Sequence, residues 1–367
     1  MSTANRNTSP QLNWKAENID KPIPVGPEGW DALTRFAISA RRQMGATAIN
    51  FCCNLSIEYN LGGLHLVRRI DFDDGCQWLA RLQLKPPTPE SSRRLRNEVD
   101  IMEAVRSMSQ TLVPQVFARA SMLMEFIPAD TAMDSFGGYD AHRGVTPAQF
   151  REKLHAGLAD IQAQPSSVRF PKIGSIICRD GKFDAWAGVA KFPNKEATIR
   201  ARTPPDLVDE VLVAIWSFPS QLRDLARSFP FQSGPFPSMH TDLYSSNVIT
   251  DADYNILSVI DWENALVGPW ELVEFTKELS IVPPEMDGPL YKASEFELAM
   301  TCFRKQHVEL VRGSEEARQV DGKLSAVLYD KEVQALAHAF WLYEDGRIGY
   351  YDRVLKLLDG RYIPLLG

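Results

Sequence analysis

The sequence is short of cysteine and short of excess positive charge, and each shortage removes a class of protein. Its five cysteines, at 52, 53, 76, 178 and 302, form an odd set with no CxxC pair. A disulfide framework or structural zinc site is therefore not expected, and a reducing compartment is. Forty Lys and Arg against 47 Asp and Glu leave a net charge of -7. That balance gives no general electrostatic reason to hold nucleic acid or an anionic membrane. The opening MSTANRNTSPQLNWKAENID lacks the apolar run of a secretory signal, and no later stretch is apolar for the length a bilayer needs. A cytoplasmic protein is the expectation. No unit recurs along the chain, so a solenoid is not suggested.

What is present is enough apolar residue for a substantial core: 367 residues at 44% hydrophobic composition, a size that suggests two domains or two lobes. After the Pro/Gly-punctuated KPIPVGPEGW, the pattern predicts a helix over Leu33 to Arg42. Strand signals follow in LSIEYN, LHLVRRIDF and CQWLARLQL, rich in β-branched and aromatic residues and separated by the turn sequences LGG and DDG. They read as an antiparallel meander. Gly62 and Gly63 at its first corner could let a backbone approach a phosphate, or could simply supply dihedral freedom to a hairpin. Arg81 lies inside the apolar strand WLARLQL, where a long cation must extend to a rim or meet an anion.

PPTPESSRRLRNEVDIMEAVRSMS starts with prolines and continues in helical periodicity, with Leu95, Val99, Met102 and Val105 on one stripe. Glu98 borders that stripe and could reach inward. SMLMEFIPA reads as a last strand, and the composition shift near Pro128 marks a lobe boundary. The expected organisation is an extension with a helix over 1–48, a mainly β unit over 49–127 and a mainly helical unit over 128–367. Within the last, AQFREKLHAGLADIQAQ has helical spacing, FPKIGSIICRDGKFDAWAG predicts a small hairpin around Arg179 to Lys182, and PDLVDEVLVAIWSFPSQLRDLARSF reads as helices broken by Pro219. KEVQALAHAFWLYEDGRIGYYDRVLKLLDG is again helical, and WELVEF predicts a helix after Pro269.

The segment MHTDLYSSNVITDADYNILSVIDWENALVGPWEL carries the densest chemistry. NVIT and ILSVID read as strands around the turn DADYN. Pairing Thr250 with Ser258 sets Asn247 opposite Asp261, with Asp242 in the loop five residues before Asn247. Carboxylate and amide oxygens gathered in this way are hard ligands suited to magnesium and coordinated phosphates. Asp and Asn also serve turns through local hydrogen bonds, so it is the full spacing HxDxxxxN followed by IDWE that points to function.

That spacing resembles the aminoglycoside phosphotransferase and choline-kinase-like family, especially the fungal group of phosphotransferase enzyme family proteins, with supporting matches in DGCQWLARLQL, SMLMEFIP and FPKIGSIICRDGKF. The resemblance implies an α+β, protein-kinase-like two-lobed fold, with a small antiparallel-sheet N-lobe over 49–127 that binds nucleotide and a larger, mainly helical C-lobe. It implies an ATP-dependent phosphotransferase acting on a small-molecule hydroxyl or amine acceptor, with ATP and Mg2+ as cofactors and no nucleic-acid or membrane partner. Asp242 would orient or deprotonate the acceptor, His240 would brace the catalytic loop, and Asn247 and Asp261 would hold magnesium. Gly62 and Gly63 fall at the phosphate-covering turn, although YNLGGLHLV departs from the full GxGxxG pattern. Arg81 stands where such enzymes carry a phosphate-pairing lysine, and Glu98 matches the helical glutamate that pairs with it. Backbone groups from Glu125 to Ile127 would meet the adenine edge, with Met124 and Phe126 packing. Glu263 would support the metal site, contact a second metal or bridge the surrounding loop. The alternatives are a nucleotide-binding, pseudokinase-like regulatory protein and a kinase-like fold turned to another metabolic reaction.

Overall fold

The apolar and aromatic runs after residue 50 form the predicted meander, and its strands fall close to where the turn residues place them. The structure, a computed structural model, describes residues 15–16, 25–45, 51–62, 65–119, 122–142, 145–186, 234–279 and 295–344, with scattered positions between 200 and 216. Gly63, most of the predicted helices around Pro219 and the end of the last predicted helical run lie outside the described residues. The chain divides into two compact units. The first comprises 1–154, 176–183 and 242–265, and the second 155–175, 184–241 and 266–367.

In the first unit, strands β1 (Lys15–Ala16), β2 (Cys53–Leu61), β3 (His65–Phe72) and β4 (Gln77–Gln83) precede helix α2 (Pro89–Met108) and strands β5 (Val116–Ala118) and β6 (Leu123–Glu125). The sheet order is β1-β2-β3-β4-β6-β5, with antiparallel neighbours. Gly75, at φ 82, supplies the left-handed residue of the β3 to β4 turn. Helix α1 (Pro27–Gln43) starts on a proline at its first turn, six positions earlier than the predicted Leu33. It packs Leu33, Ala37 and Ala40 into one core with Phe51, Ile70, Phe72, Trp78, Ala80 and Leu123. Trp78 stacks on Phe117 at 4.4 Å and meets the edge of Phe72 at 4.8 Å. Strand alternation then turns Arg81 to the face opposite Trp78 and Ala80. Thr88 caps α2 through a reciprocal pair with Ser91.

The same unit holds β12 (Val248–Thr250) between β7 (Asp130–Thr131) and β13 (Ile256–Val259). The strand pair exists, but its register differs from the predicted pairing, by two residues at Thr250 and by one from Ile249 to Asn247. Ser258 faces Ile249 and Val259 faces Val248, while Thr250 faces Ile256 across an irregularity that leaves Leu257 without a partner. Asn247 therefore meets Ile260, whose N–H donates to its carbonyl at 2.9 Å. Asp261 lies one residue beyond that contact, at φ 63, a left-handed conformation that aspartate tolerates better than most residues.

In the second unit, β8 (Arg169–Phe170), β11 (Phe236–Met239) and β14 (Leu266–Val267) form a small antiparallel sheet beside helices Glu295–Ala317, Lys323–Tyr329 and Lys331–Glu344. Helix α3 (Ala148–Ser167) and the hairpin of β9 (Ser175–Arg179) and β10 (Lys182–Trp186), whose residues 176–183 belong to the first unit, stand where the sequence predicts them. WELVEF does not form the predicted helix. It gives one 3-10 turn at Trp270–Leu272, after which Val273 is extended. Trp270, Glu271, Val273, Phe275 and Thr276 are buried while Leu272 and Glu274 are only partly so, a burial pattern that does not follow a single helical stripe. Among the described residues no helix is long and apolar enough to cross a membrane.

His307 is buried, with Nε2 at 2.7 Å from Gln162 Oε1. Burial, with the charge of His155 and Arg304, holds its pKa down to about 3 from 6.5. Between those values the unfolded chain binds a proton that the folded chain refuses, so stability is complete above 6.5 and falls as pH drops through the window. Urea unfolding of wild type is expected to lose up to about 1.4 kcal/mol per pH unit more than His307→Gln in this range. Equal slopes would show that His307 is protonated in the fold.

Candidate active site

The unusual group in the β4 strand is Arg81, because a guanidinium on a half-buried sheet face must find anions. Nη1 contacts Glu98 Oε1, and Nη2 contacts Asp261 Oδ1 at 2.8 Å and Glu263 Oε2 at 3.3 Å. These carboxylates come from α2 and from the turn after β13, all in the first unit. The predicted Arg81 and Glu98 are thus in direct contact, and Asp261 joins them. Burial, opposed by Arg81, raises the Glu98 pKa to about 7. Burial also raises that of Glu263, again against the pull of Arg81. For Arg81, burial disfavours the charge, but the carboxylates outweigh it and the pKa rises.

The second predicted group is the loop before β12. Asn247 is buried, and its Nδ2 donates to the Asp242 carbonyl at 2.8 Å and to Asp242 Oδ2 at 3.0 Å. Asp242 itself is exposed. Committing Nδ2 in this way leaves Oδ1 as the acceptor end of the Asn247 amide. His240 follows β11 in the second unit and is partly buried.

Other predicted positions carry simpler contacts. Gly62 ends the described part of the β2 to β3 corner, where its N–H donates to His65 O at 2.9 Å. A Cβ there would sit 3.5 Å from that oxygen, an ordinary contact, so packing does not demand glycine. The Glu125 N–H donates to Gln115 O at 2.8 Å, and the Ile127 carbonyl accepts from Ala129 at 2.8 Å. Met124 and Phe126 are buried, in keeping with packing roles.

Sequence reasoning did not single out His65. It lines a cavity of about 260 Å³ with Gln83, Lys85, Arg94, Glu98 and Glu263, and its Nδ1 lies 3.8 Å from Glu263 Oε2. Burial and then the charge of Arg81 lower its pKa to about 4. The signal was the hairpin register. His65 pairs with Gln83 and Val67 with Arg81, which turns His65 to the Arg81 face by strand alternation.

The donor types fit a divalent cation held together with phosphates. Among the described residues no three His, Cys, Asp or Glu side chains gather closely enough to hold an ion by themselves. Asn247 Oδ1 and the Asp261 carboxylate offer a small number of hard oxygens, as magnesium takes when phosphate completes its shell.

A sequence profile described as the phosphotransferase enzyme family matches residues 62–272, which include Arg81, Glu98, Asp242, Asn247 and Asp261. The chain belongs to that family. It is a phosphotransferase, and its described elements are of α+β architecture. Among solved structures, this phosphotransferase is similar to a macrolide 2'-phosphotransferase from Brachybacterium faecium at 14% identity, over 90% of this chain and 98% of the other, with a TM-score of 0.43. It is also similar to an amicoumacin kinase at 11% identity, over 92% and 96%, with a TM-score of 0.47. An ethanolamine kinase from Plasmodium vivax is 12% identical over 93% and 90%, with a TM-score of 0.40. No curated protein matches the chain.

Arg81→Met leaves the carboxylates of Glu98, Asp261 and Glu263 without their shared cation. It is expected to cost about 3–5 kcal/mol of unfolding free energy, read by urea denaturation at about pH 8. A loss below about 1 kcal/mol would mean that solvent already satisfies these acids.

Proposed function

We propose that this phosphotransferase transfers the terminal phosphoryl group of ATP to a hydroxyl or amine of a small acceptor, in the cytoplasm. Asp242 is the base or orienting carboxylate, and Asn247 and Asp261 are the magnesium ligands. The observation that carries the reading is the Arg81 fork, which brings Asp261, 180 residues away in sequence, together with Glu98.

Asn247 holds Asp242 through both its carbonyl and its carboxylate. The acidic side chain is thereby fixed while staying exposed, as a group must be to take or orient the proton of an incoming nucleophile. Arg81 presents positive charge toward the nucleotide phosphates, and Glu98 keeps it from swinging away. His240 braces the loop ahead of Asp242. The Gly62 and Gly63 corner covers the phosphates, and the backbone from Glu125 to Ile127 borders the base. Magnesium, when bound with ATP, neutralises phosphate charge at the transferred group.

The test is a metabolite screen with labelled ATP and magnesium, comparing wild type with Asp242→Asn and Asp261→Asn. Each substitution is expected to lower kcat by about a hundred- to ten-thousandfold on any acceptor found. Unchanged turnover in both would contradict these assignments. Nucleotide binding without product across a broad acceptor panel would instead favour a regulatory protein.

A further inference from the structure

Helix α2 carries two buried carboxylates, and only Glu98 belongs to the Arg81 cluster. Asp100, 6% exposed, lies two residues on, about 200° around the helix. Its Oδ1 accepts from Nη1 of Arg119 at 2.7 Å, and its Oδ2 accepts from the backbone N–H of Cys178 at 2.9 Å. Nη2 of Arg119 donates to Glu103 Oε2 at 2.5 Å, further along α2. Cys178 belongs to β9, just before the tight turn of Asp180 at φ 51 and Gly181 at φ 72, and lies 78 residues from Asp100 in sequence. Segment 176–183 sits in the same unit as α2. The helix is therefore bonded on two sides, to Arg81 through Glu98 and to a distant hairpin through Asp100.

A buried carboxylate is costly unless its oxygens are satisfied, and a hydrophobic side chain would fill this place without fixing the helix. Two directional bonds to the two oxygens of one carboxylate oppose both rotation and sliding of α2. Either motion would carry Glu98 off Arg81. We propose that the hairpin segment at Cys178 is a backstop for α2, and that Asp100 is the positioning residue through which it holds Glu98 against Arg81. The inference rests on the phosphotransferase reading of Arg81 given above.

The test uses the full chain with Asp100→Ala, Asp100→Asn, Glu98→Gln and the Asp100→Ala/Glu98→Gln double variant. Arg119→Met, at a position whose side chain is 45% exposed, keeps the test open should Asp100→Ala not fold. Asp100→Ala is expected to raise KM for MgATP about tenfold, while KM for the acceptor moves less than about twofold. Asp100→Asn, which retains a carbonyl acceptor, recovers part of the loss, and Arg119→Met shifts KM for MgATP in the same direction by a smaller factor. The double variant is no worse than Glu98→Gln alone. Equal rises in both KM values, or losses that add, would overturn the role. Denaturation midpoints of the same proteins give a readout that needs no turnover: non-additive losses support the link and additive losses refute it. If wild type transfers no phosphate, the functional reading fails, and these midpoints still decide whether Asp100 acts through Glu98.

Discussion

One guanidinium facing three carboxylates is the interaction that draws distant segments of the first unit together. Arg81 spends one end of its planar fork on Glu98 and the other on Asp261 and Glu263. The pair with Glu98 is almost wholly buried and is the strongest of the three, while Asp261, 42% exposed, is screened by solvent. Removing Arg81 thus leaves a cluster that is already net acidic without its one cation. A lysine would offer a single point charge and could not reach both ends at once.

The rest of the unit can be understood as what holds this cluster in place. The core of α1 with Trp78, Ala80 and Ile70 fixes β4, and alternation then sends Arg81 to the other face. The Thr88 cap begins α2 at a defined residue, so that Glu98 arrives beside the strand. The contact of Asn247 with Ile260 brings Asp242 and Asp261 onto neighbouring pieces of backbone, and φ 63 turns the chain at Asp261. Each step is local, yet Glu98 and Asp261 meet one side chain from distant parts of the sequence.

Much of this was legible before any coordinates. Turn residues and β-branched runs marked the meander, Arg81 stood out as a cation in an apolar strand, and Glu98 bordered the stripe of its helix. Three features were not. The register is one, because the hairpin closes at Thr250 and Ile256, two residues from the predicted pair, and an unpaired Leu257 recovers only one of them before Asn247. His65 reads as an ordinary strand residue until the β3 to β4 pairing is known. WELVEF carries a proline start and a plausible helical composition, yet the chain is extended from Val273 and buries residues on more than one face. In each case the missing information was which neighbour a segment faces, and propensity does not encode it.

The central claim is that the Arg81 fork makes the nucleotide site. Calorimetric titration of wild type, Arg81→Lys and Arg81→Ala with a non-hydrolysable ATP analogue, with and without magnesium, tests it most directly. The account predicts magnesium-dependent binding by wild type, weakened by roughly tenfold in Arg81→Lys and further in Arg81→Ala, in line with about 1.4 kcal/mol per decade of affinity. Equal affinity in all three proteins, or binding indifferent to magnesium, would contradict it.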